Sequence, residues 1–225
     1  MRVIVTAGPT YESLDSVRRL TNFSTGRLGT ELAGHFAMRG HEVTLLIGEQ
    51  ATWRGDRRAA VVEVFGTTED LFQRLRAHAH AGTSPVDGVF HAAAVSDFTF
   101  GKVWERGPSG ELIPAQGGKL TTRSGSLLAE LVPTPKILPE LRGWFPKSFL
   151  SGWKFETDGP REQVVAKARS QIRECKTDLC VANGPGFGEG FGLVTPGDAP
   201  VDPVATPDQL FLALERRLAA ARGLS

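Results

Sequence analysis

Residues 41–48 read HEVTLLIG, and this stretch decides the fold class. Its branched apolar residues follow one another almost without a break, whereas a strand with one solvated face alternates apolar and polar positions. Continuous apolar runs of this length are typical of strands covered on both faces, as in a parallel sheet. Similar short runs, rich in Val, Ile and Leu, occur at 3–7, 60–66, 86–94, 147–155, 178–183 and 190–198.

Helix-like stretches separate these predicted strands. They lie at 27–39, 68–80, 160–174 and 206–222. Strands that alternate with helices in this way predict an α/β fold with three layers, in which a doubly wound, mostly parallel, Rossmann-like sheet is covered on both faces. The length of 225 residues suits one domain, so we expect residues 1–225 to form it.

The composition narrows the range of partners. A net charge of +1 gives no indication of a nucleic acid or a membrane surface as the main partner. The opening run MRVIVTAG is too short for a signal peptide or a membrane span, so we expect a cytoplasmic protein. The two cysteines, Cys175 and Cys180, are then expected to stay reduced.

The region 99–126 interrupts the alternation of strands and helices. It is rich in glycine and shows little periodicity, so we predict a long, mobile flap loop. Lys119 lies in its GGKL segment. A lysine on such a loop is either simply solvated or carries positive charge onto a phosphate when the loop closes.

Ligands of open α/β sheets bind beyond the carboxyl ends of the strands. Here these ends are small or polar. The first turn lacks the G-x-G-x-x-G pattern of dinucleotide-binding proteins, so the usual fingerprint is absent. The segments expected at this edge are TAGPT at 6–10, HAAAVSDF at 91–98, GWKFET at 152–157 and VAN at 181–183.

The segment TNFSTGRLG at 21–29 places many hydrogen-bonding residues before a helix. Ser24 and Thr25, together with the first backbone N–H groups of the helix, would hold a phosphate or a carboxylate. Gly26 and Gly29 permit close approach of a ligand and of the sheet. An ordinary helix N-cap explains the same residues equally well from spacing alone.

The strand end at 91–94 carries three consecutive alanines. Small side chains there leave room for a flat base or a ribose, although simple close packing is an equally familiar reason for them. Asp97 follows in a turn, where it caps backbone N–H groups or accepts hydrogen bonds from a ligand.

Taken in order, these motifs resemble the phosphopantothenoylcysteine synthetase family. The resemblance covers residues 2–196, and its most diagnostic parts are the N-x-S-[ST]-G and A-V-[AS]-D patterns. In many bacteria this domain is fused behind a flavin-dependent decarboxylase, which is absent here, so a free-standing form without FMN is implied. The motifs are TAGPT, DSVRRLTNFSTGRLG, AAAVSDF, GGKL, VPTPKIL, GWKFET and DLCVAN.

The resemblance implies a ligase of coenzyme A biosynthesis. Such enzymes join 4′-phosphopantothenate to cysteine at the expense of a nucleoside triphosphate, CTP or ATP, with Mg²⁺. The substrate carboxylate attacks the α-phosphate to give an acyl nucleotidylate and pyrophosphate, and the cysteine amine then displaces CMP or AMP. The family also forms dimers, so a homodimer is expected.

The resemblance further assigns residues to roles. Asn22 takes the role of the catalytic asparagine, whose amide hydrogen-bonds to the carbonyl of the acyl nucleotidylate, and Lys119 is the first lysine of the flap motif, placed with both the catalytic and the nucleotide-binding groups. The residues assigned to the phosphopantothenate side are Arg18, Ser24, Thr25, Gly26, Arg27 and Asn183. Those assigned to the nucleotide are His91, Ala92, Ala93, Asp97, Pro135, Lys136, Ile137, Leu138 and Trp153, the last of which also suits a core aromatic.

The chain departs from the family pattern in the flap and near the phosphates. The fused enzymes carry K-x-K-K in the flap, whereas this chain has KLTT at 119–122. Arg169, Arg173 and Lys176 stand at shifted places on the helix before VAN, so the triphosphate contacts and any metal ligands remain unassigned. Pro9 and Gly184 also differ from the usual residues, which leaves the choice between CTP and ATP open.

Two other functions fit the same fold class. One is a nucleotide-binding module without catalysis, against which the presence of both Asn22 and Lys119 argues. The other is an NAD(P)-dependent short-chain reductase, which needs a glycine-rich first turn and a Tyr-x-x-x-Lys pair. The chain's one tyrosine, Tyr11, is followed four residues later by Asp15, so this alternative is disfavoured.

Overall fold

A computed structural model describes residues 1–80, 85–115, 117–120 and 126–224. The strands are β1 (Arg2–Ala7), β2 (Tyr11–Ser13), β3 (Arg19–Thr21), β4 (Glu42–Gly48), β5 (Val61–Phe65), β6 (Gly88–His91), β7 (Phe98–Arg106), β8 (Leu112–Pro114), β9 (Leu127–Pro133), β10 (Phe149–Phe155), β11 (Leu179–Asn183), β12 (Phe191–Val194) and β13 (Asp202–Val204). The helices are α1 (Arg27–Met38), α2 (Thr68–His80), α3 (Leu141–Trp144), α4 (Arg161–Cys175) and α5 (Pro207–Ala221), with a 3-10 turn at Leu138–Glu140.

The central sheet has eight strands in the order β13-β12-β11-β10-β6-β1-β4-β5. The strands from β11 to β5 are parallel, and β12 and β13 continue the sheet antiparallel. The chain moves outward from β1 to β4 and β5, and then returns to place β6 on the other side of β1. This reversal opens a crevice at the carboxyl ends of β1 and β6, where open α/β sheets bind their ligands.

Helices cover both faces of this sheet and form three layers. On one face, α1 and α5 pack Leu32, Phe36 and Leu214 against the strands. On the other face, α2 and α3 pack Leu71, Leu75 and Leu141. These side chains are fully buried, so the inner apolar strands are covered on both sides as predicted. The edge strand β5 differs, because Val61, Val62 and Val64 are exposed. No helix of the described ranges is both long and apolar enough to cross a membrane.

The prediction of a long loop over 99–126 was wrong in its local structure. Strands β7, β8 and β9 form a separate antiparallel sheet in the order β8-β7-β9. The register between β7 and β9 shifts between Phe100 and Val103, and such irregularity hides the alternating pattern of a strand. Residues 116 and 121–125 of the predicted flap lie outside the described residues.

The first turn of α1 lies directly against β1 because glycine leaves room for it. A Cβ on Gly29 would lie 2.7 Å from Ala7 Cβ and 2.9 Å from the carbonyl oxygen of Thr6. The predicted role of this glycine, close approach of helix and sheet, is therefore confirmed. Gly34 lies on the same helix, and a Cβ there would meet nothing within 4 Å.

These two glycines give a matched pair of substitutions. We expect Gly29→Ala to destabilise the protein by roughly 1–3 kcal/mol, because the methyl group overpacks rigid backbone. Gly34→Ala should stabilise it by up to about 1 kcal/mol, because alanine has the higher helix propensity and its methyl group meets no neighbour. Chemical denaturation of the two variants measures both changes. Equal effects of the two substitutions would contradict the packing described here.

Candidate functional site

The crevice between β1 and β6 is closed at its base by backbone hydrogen bonds beyond the strand ends. The amide of Ala94 donates to the carbonyl oxygen of Gly8 at 3.0 Å, and the amide of Thr10 donates to the carbonyl oxygen of Ala94 at 3.1 Å. The hydroxyl of Thr21 donates to the carbonyl oxygen of Thr10 at 2.8 Å. The β2–β3 hairpin is thereby fixed beside the crevice, and it carries the TNFSTG segment with it.

Asn22 lies directly at this junction. Its Nδ2 donates to the carbonyl oxygen of Ala94 at 3.0 Å, while the side chain stays exposed. A side-chain amide has two N–H donors, so one N–H is used by Ala94 and the second points elsewhere. The contact also orients the amide, because a carbonyl acceptor selects the nitrogen and not the oxygen. The structure thus holds an oriented donor at the mouth of the crevice.

Small residues bring three loops together at the same edge. A Cβ on Gly26 would lie 3.0 Å from Ala51 Cβ and 3.2 Å from Gly8 Cα. Gly8 and Gly26 both have left-handed backbone conformations, with φ of 78° and 79°, which glycine adopts without strain. The turn after β1, the start of α1 and the loop after β4 therefore meet through their backbones.

The N-terminus of α1 is not capped by a side chain in the usual way. Its N-cap residue is Gly26, which has no side chain to cap with, and its first turn holds no acidic residue. The hydroxyl of Thr25 accepts a long hydrogen bond of 3.3 Å from Arg27 N. Arg27 itself pairs with Glu31 at 2.8 Å and lies over the Trp53 ring at 4.8 Å. A conventional N-cap thus does not account for Ser24 and Thr25.

His91 ends β6 and is buried. Its Nδ1 lies 2.9 Å from the hydroxyl of Thr6, which also accepts a hydrogen bond from the amide of Ala93 at 3.1 Å. Burial lowers the pKa of His91 to about 4, so the ring is uncharged at neutral pH. Ala92 and Ala93 follow it half-buried at the strand end.

The segment 135–138 is joined to the turn after β6. The hydroxyl of Thr134 donates to the carbonyl oxygen of Ser96 at 2.6 Å, and the exposed side chains of Lys136 and Asp97 form an ion pair. The remaining assigned residues of this segment are Pro135, which is exposed, Ile137, which is buried, and Leu138, which is half-buried.

Trp153 and Asn183 lie near the carboxyl ends of neighbouring strands, and on the face that α1 and α5 cover. Trp153 packs against the core of that face, as its interpretation as a core aromatic predicts. Its Nε1 is nevertheless buried without a hydrogen-bond partner, and so is Oδ1 of Asn183. A buried donor and a buried acceptor without partners are costly, so these two atoms suit a bound polar group.

Lys119 is exposed, and its neighbours in the chain are attached to the β2–β3 hairpin. The carboxylate of Asp15 accepts from Leu120 N at 3.1 Å, and Arg18 donates to the carbonyl oxygen of Leu120 at 2.7 Å. The amide of Ser16 donates to the carbonyl oxygen of Gly118 at 2.9 Å. Lys119 is therefore held between two anchored residues. Arg18, assigned to the phosphopantothenate, is engaged in this attachment.

Asp15 organises the attachment, and sequence reasoning assigned it no role. Its side chain is 2% exposed and pairs with Arg18. Hydrogen bonds from the Arg18 guanidinium, and from the amide of Val17, hold the pKa of Asp15 well below its usual range. The D-x-x-R spacing just before TNFSTG could have indicated this arrangement, in which Asp15 and Arg18 together hold Leu120 and which we call the clamp.

The cations in the second half of α4 and just after it do not reach this edge. The helix begins at Arg161 near the carboxyl ends of the strands and runs back to Cys175, so Arg169, Arg173 and Lys176 lie toward the opposite edge of the sheet. Lys154 and Lys167 lie nearer the crevice, and both pair with Glu156. Within the described ranges, no three His, Cys, Asp or Glu side chains are grouped so as to hold a metal ion.

Comparison with known proteins identifies the family to which the chain is similar. The family model "DNA/pantothenate metabolism flavoprotein C-terminal domain" matches residues 1–196. The coenzyme A biosynthesis bifunctional protein CoaBC of Thermococcus kodakarensis is 34% identical over 183 residues, which are 81% of this chain and 41% of that protein. The chain spans about half or less of the length of the curated relatives it matches.

Two solved structures share the fold. The DNA/pantothenate metabolism flavoprotein from Streptococcus pneumoniae has a TM-score of 0.81 and 23% identity, over 98% of this chain and 99% of that one. A Cab2 mutant in complex with phosphopantothenate-cysteine has a TM-score of 0.73 and 20% identity, over 99% and 88%. These likenesses confirm the predicted fold class, and the family match confirms the resemblance of the ordered motifs.

Asp15→Asn tests the attachment of Lys119. An amide of the same shape presents N–H groups to donors that need an acceptor, so the segment 117–120 should loosen from the hairpin. We expect faster hydrogen exchange at Leu120 N, while the exchange of the central strands stays unchanged. Asp56→Asn is the matched control, since Asp56 is exposed and pairs with exposed Arg58. Unchanged protection of Leu120 in the Asp15 variant would contradict the clamp.

Proposed function

We propose that this chain, which belongs to the DNA/pantothenate metabolism flavoprotein C-terminal domain family, ligates 4′-phosphopantothenate to cysteine in coenzyme A biosynthesis. The curated relative from Thermococcus kodakarensis is named for coenzyme A biosynthesis, and a structural neighbour was solved with phosphopantothenate-cysteine. The observation that carries the proposal is the oriented amide of Asn22 at the crevice between β1 and β6.

The first step makes a carboxylate a better acyl donor. A carboxylate oxygen of phosphopantothenate attacks the α-phosphorus of the nucleoside triphosphate, a new P–O bond forms, and pyrophosphate leaves. In the second step the cysteine amine attacks the acyl carbonyl, an amide forms, and the nucleoside monophosphate leaves. The amine loses a proton in that step. Both steps place negative charge on oxygen atoms in the crevice, so preorganised donors accelerate them.

Asn22 supplies one such donor. One N–H of its amide is held by Ala94, so the second N–H is oriented toward the acyl carbonyl oxygen without reorganisation. The uncapped N-terminus of α1, with Ser24, Thr25 and Gly26, offers further donors for an anionic end of the substrate. Arg18, Arg27 and Asn183 complete the set that we assign to the phosphopantothenate.

The nucleotide occupies the β6 side of the crevice. Ala92 and Ala93 leave space beside the neutral ring of His91, and the 135–138 segment, Asp97 and Trp153 line the same edge. Lys119 approaches the phosphates from the hairpin side, where its charge acts in a site with less water. Mg²⁺ enters with the triphosphate, because magnesium is often held largely by substrate phosphates and water. We leave CTP and ATP as alternative co-substrates and propose that the enzyme acts as a homodimer without FMN.

Product analysis tests the reaction. Purified protein with phosphopantothenate, cysteine, Mg²⁺ and either CTP or ATP should release pyrophosphate and a nucleoside monophosphate in equal amounts. Full turnover should require cysteine, because without it the acyl nucleotidylate is not resolved. Nucleoside diphosphate and inorganic phosphate as products would contradict attack at the α-phosphorus. Substrate binding without any turnover would favour the alternative of an inactive nucleotide-binding module.

Asn22→Asp tests the donor. A carboxylate of nearly the same shape repels the anionic intermediate, so we expect turnover to fall roughly a hundred- to thousandfold, the usual loss for one oxyanion donor. Gln209→Glu is the control, because it makes the same amide-to-carboxylate change in the first turn of α5, where an acidic residue is favourable. Turnover of the Asn22 variant near that of the control would remove the catalytic role.

A further inference from the structure

A second cavity lies at the edge of the sheet opposite the ligation site. Its volume is about 680 Å³, and it opens between the end of α4 and the turn after β12. Asp178 lines the cavity. Its amide donates to the carbonyl oxygen of Leu150, so the cavity lies where β10 and β11 begin. The residues that line it include Arg169, Ile172, Arg173, Lys176, Thr177 and Pro196.

The charge of this cavity is positive. Arg142 also lines it, but its guanidinium already donates to Asp178 and to three carbonyl oxygens, so its role is structural. Arg173 has a long hydrogen bond of 3.3 Å to Ser170. Arg169 donates to the carbonyl oxygen of Ala199 at 2.9 Å and lies 3.7 Å from the exposed carboxylate of Asp198. Among the described residues, the ammonium group of Lys176 has no ion-pair partner.

Two buried polar atoms of the cavity wall lack hydrogen-bond partners. They are Nε of Arg169 and the hydroxyl of Thr177, whose residue is 3% exposed. Both groups donate hydrogen bonds, and a buried donor without a partner costs stability unless a ligand or water satisfies it. Their position beside Arg173 and Lys176 matches what an oxyanion requires, since arginine and hydroxyl donors bind phosphate oxygens directly.

We infer that this cavity binds a diphosphate group, either as pyrophosphate or as part of a nucleotide. Arg169, Arg173 and Lys176 supply the positive charge, and Thr177 lies in the same wall with its hydroxyl unpaired. The volume lies in the range of small-molecule sites, and Ile172 and Pro196 give an apolar wall for an organic portion. This site is separate from the ligation site and goes beyond the proposed function.

Titration of the full chain with pyrophosphate, in the absence of other substrates, tests this inference by calorimetry. Arg173→Gln should weaken binding about tenfold or more, because a charge-assisted contact is lost. Arg216→Gln, an exposed arginine on α5, is the matched control and should leave binding unchanged. Lys119→Gln distinguishes this cavity from the ligation site. Lys119 lies at the opposite edge of the sheet, so its substitution should leave binding in this cavity unchanged.

Lys176→Gly guards against simple unfolding. Lys176 follows α4 as its C-cap residue and has a φ of 53°. Among the described residues, it is the one residue other than glycine with a positive φ. Glycine relieves this strain, so the variant should keep or slightly raise its melting temperature while losing affinity about tenfold. Tighter binding of a nucleoside diphosphate than of pyrophosphate assigns the site to a nucleotide, and equal binding assigns it to pyrophosphate. The inference is overturned if Arg173→Gln and Lys176→Gly bind the probes as tightly as the wild type does. It is also overturned if the wild-type chain binds neither probe.

Discussion

The first turn of α1 lies against the backbone of β1 because Gly29 places no side chain between them. The geometry of the crevice depends on this contact, because it places the start of α1 beside the turn after β1. The start of the helix lies within van der Waals distance of Gly8, and Gly26 continues the same close packing toward the loop after β4. In the usual dinucleotide fold one short glycine-rich turn performs these tasks. Here the β2–β3 hairpin is inserted between Gly8 and Gly26, so the same packing is achieved by glycines far apart in the chain.

The inserted hairpin positions polar groups that we propose to act in the reaction. It carries Asn22 to the carbonyl oxygen of Ala94, and it holds the segment 117–120 through Asp15 and Arg18. The amide of Asn22 is thereby attached to the turn after β6, and the backbone on both sides of Lys119 is attached to the hairpin. Preorganisation of this kind matters for charge stabilisation, because groups that are already in place need no reorganisation during the reaction.

The two edges of the sheet differ in how their polar groups are satisfied. At the carboxyl edge, the described structure uses backbone hydrogen bonds to close the crevice and leaves Trp153 and Asn183 with unpaired buried atoms. At the amino edge, Arg142 ties the strand beginnings to α3, while Arg169 and Thr177 retain unpaired donors. Of the five unpaired buried side-chain atoms in the described ranges, four therefore lie where ligands are proposed, and the fifth, Oγ of Ser151, lies within β10.

The layers and the order of the main elements could be predicted from the sequence, because continuous apolar strands and intervening helices are local patterns. Seven predicted strands and four predicted helices recur with small shifts at their ends. The ordered motifs also indicated the family and the crevice. Three features depended on the tertiary structure: β7, β8 and β9 form an antiparallel sheet, Asp15 holds Leu120, and Arg173 and Lys176 lie away from the crevice. Each of these depends on contacts between residues distant in the chain or on the direction of a whole helix, and neither is encoded in local periodicity.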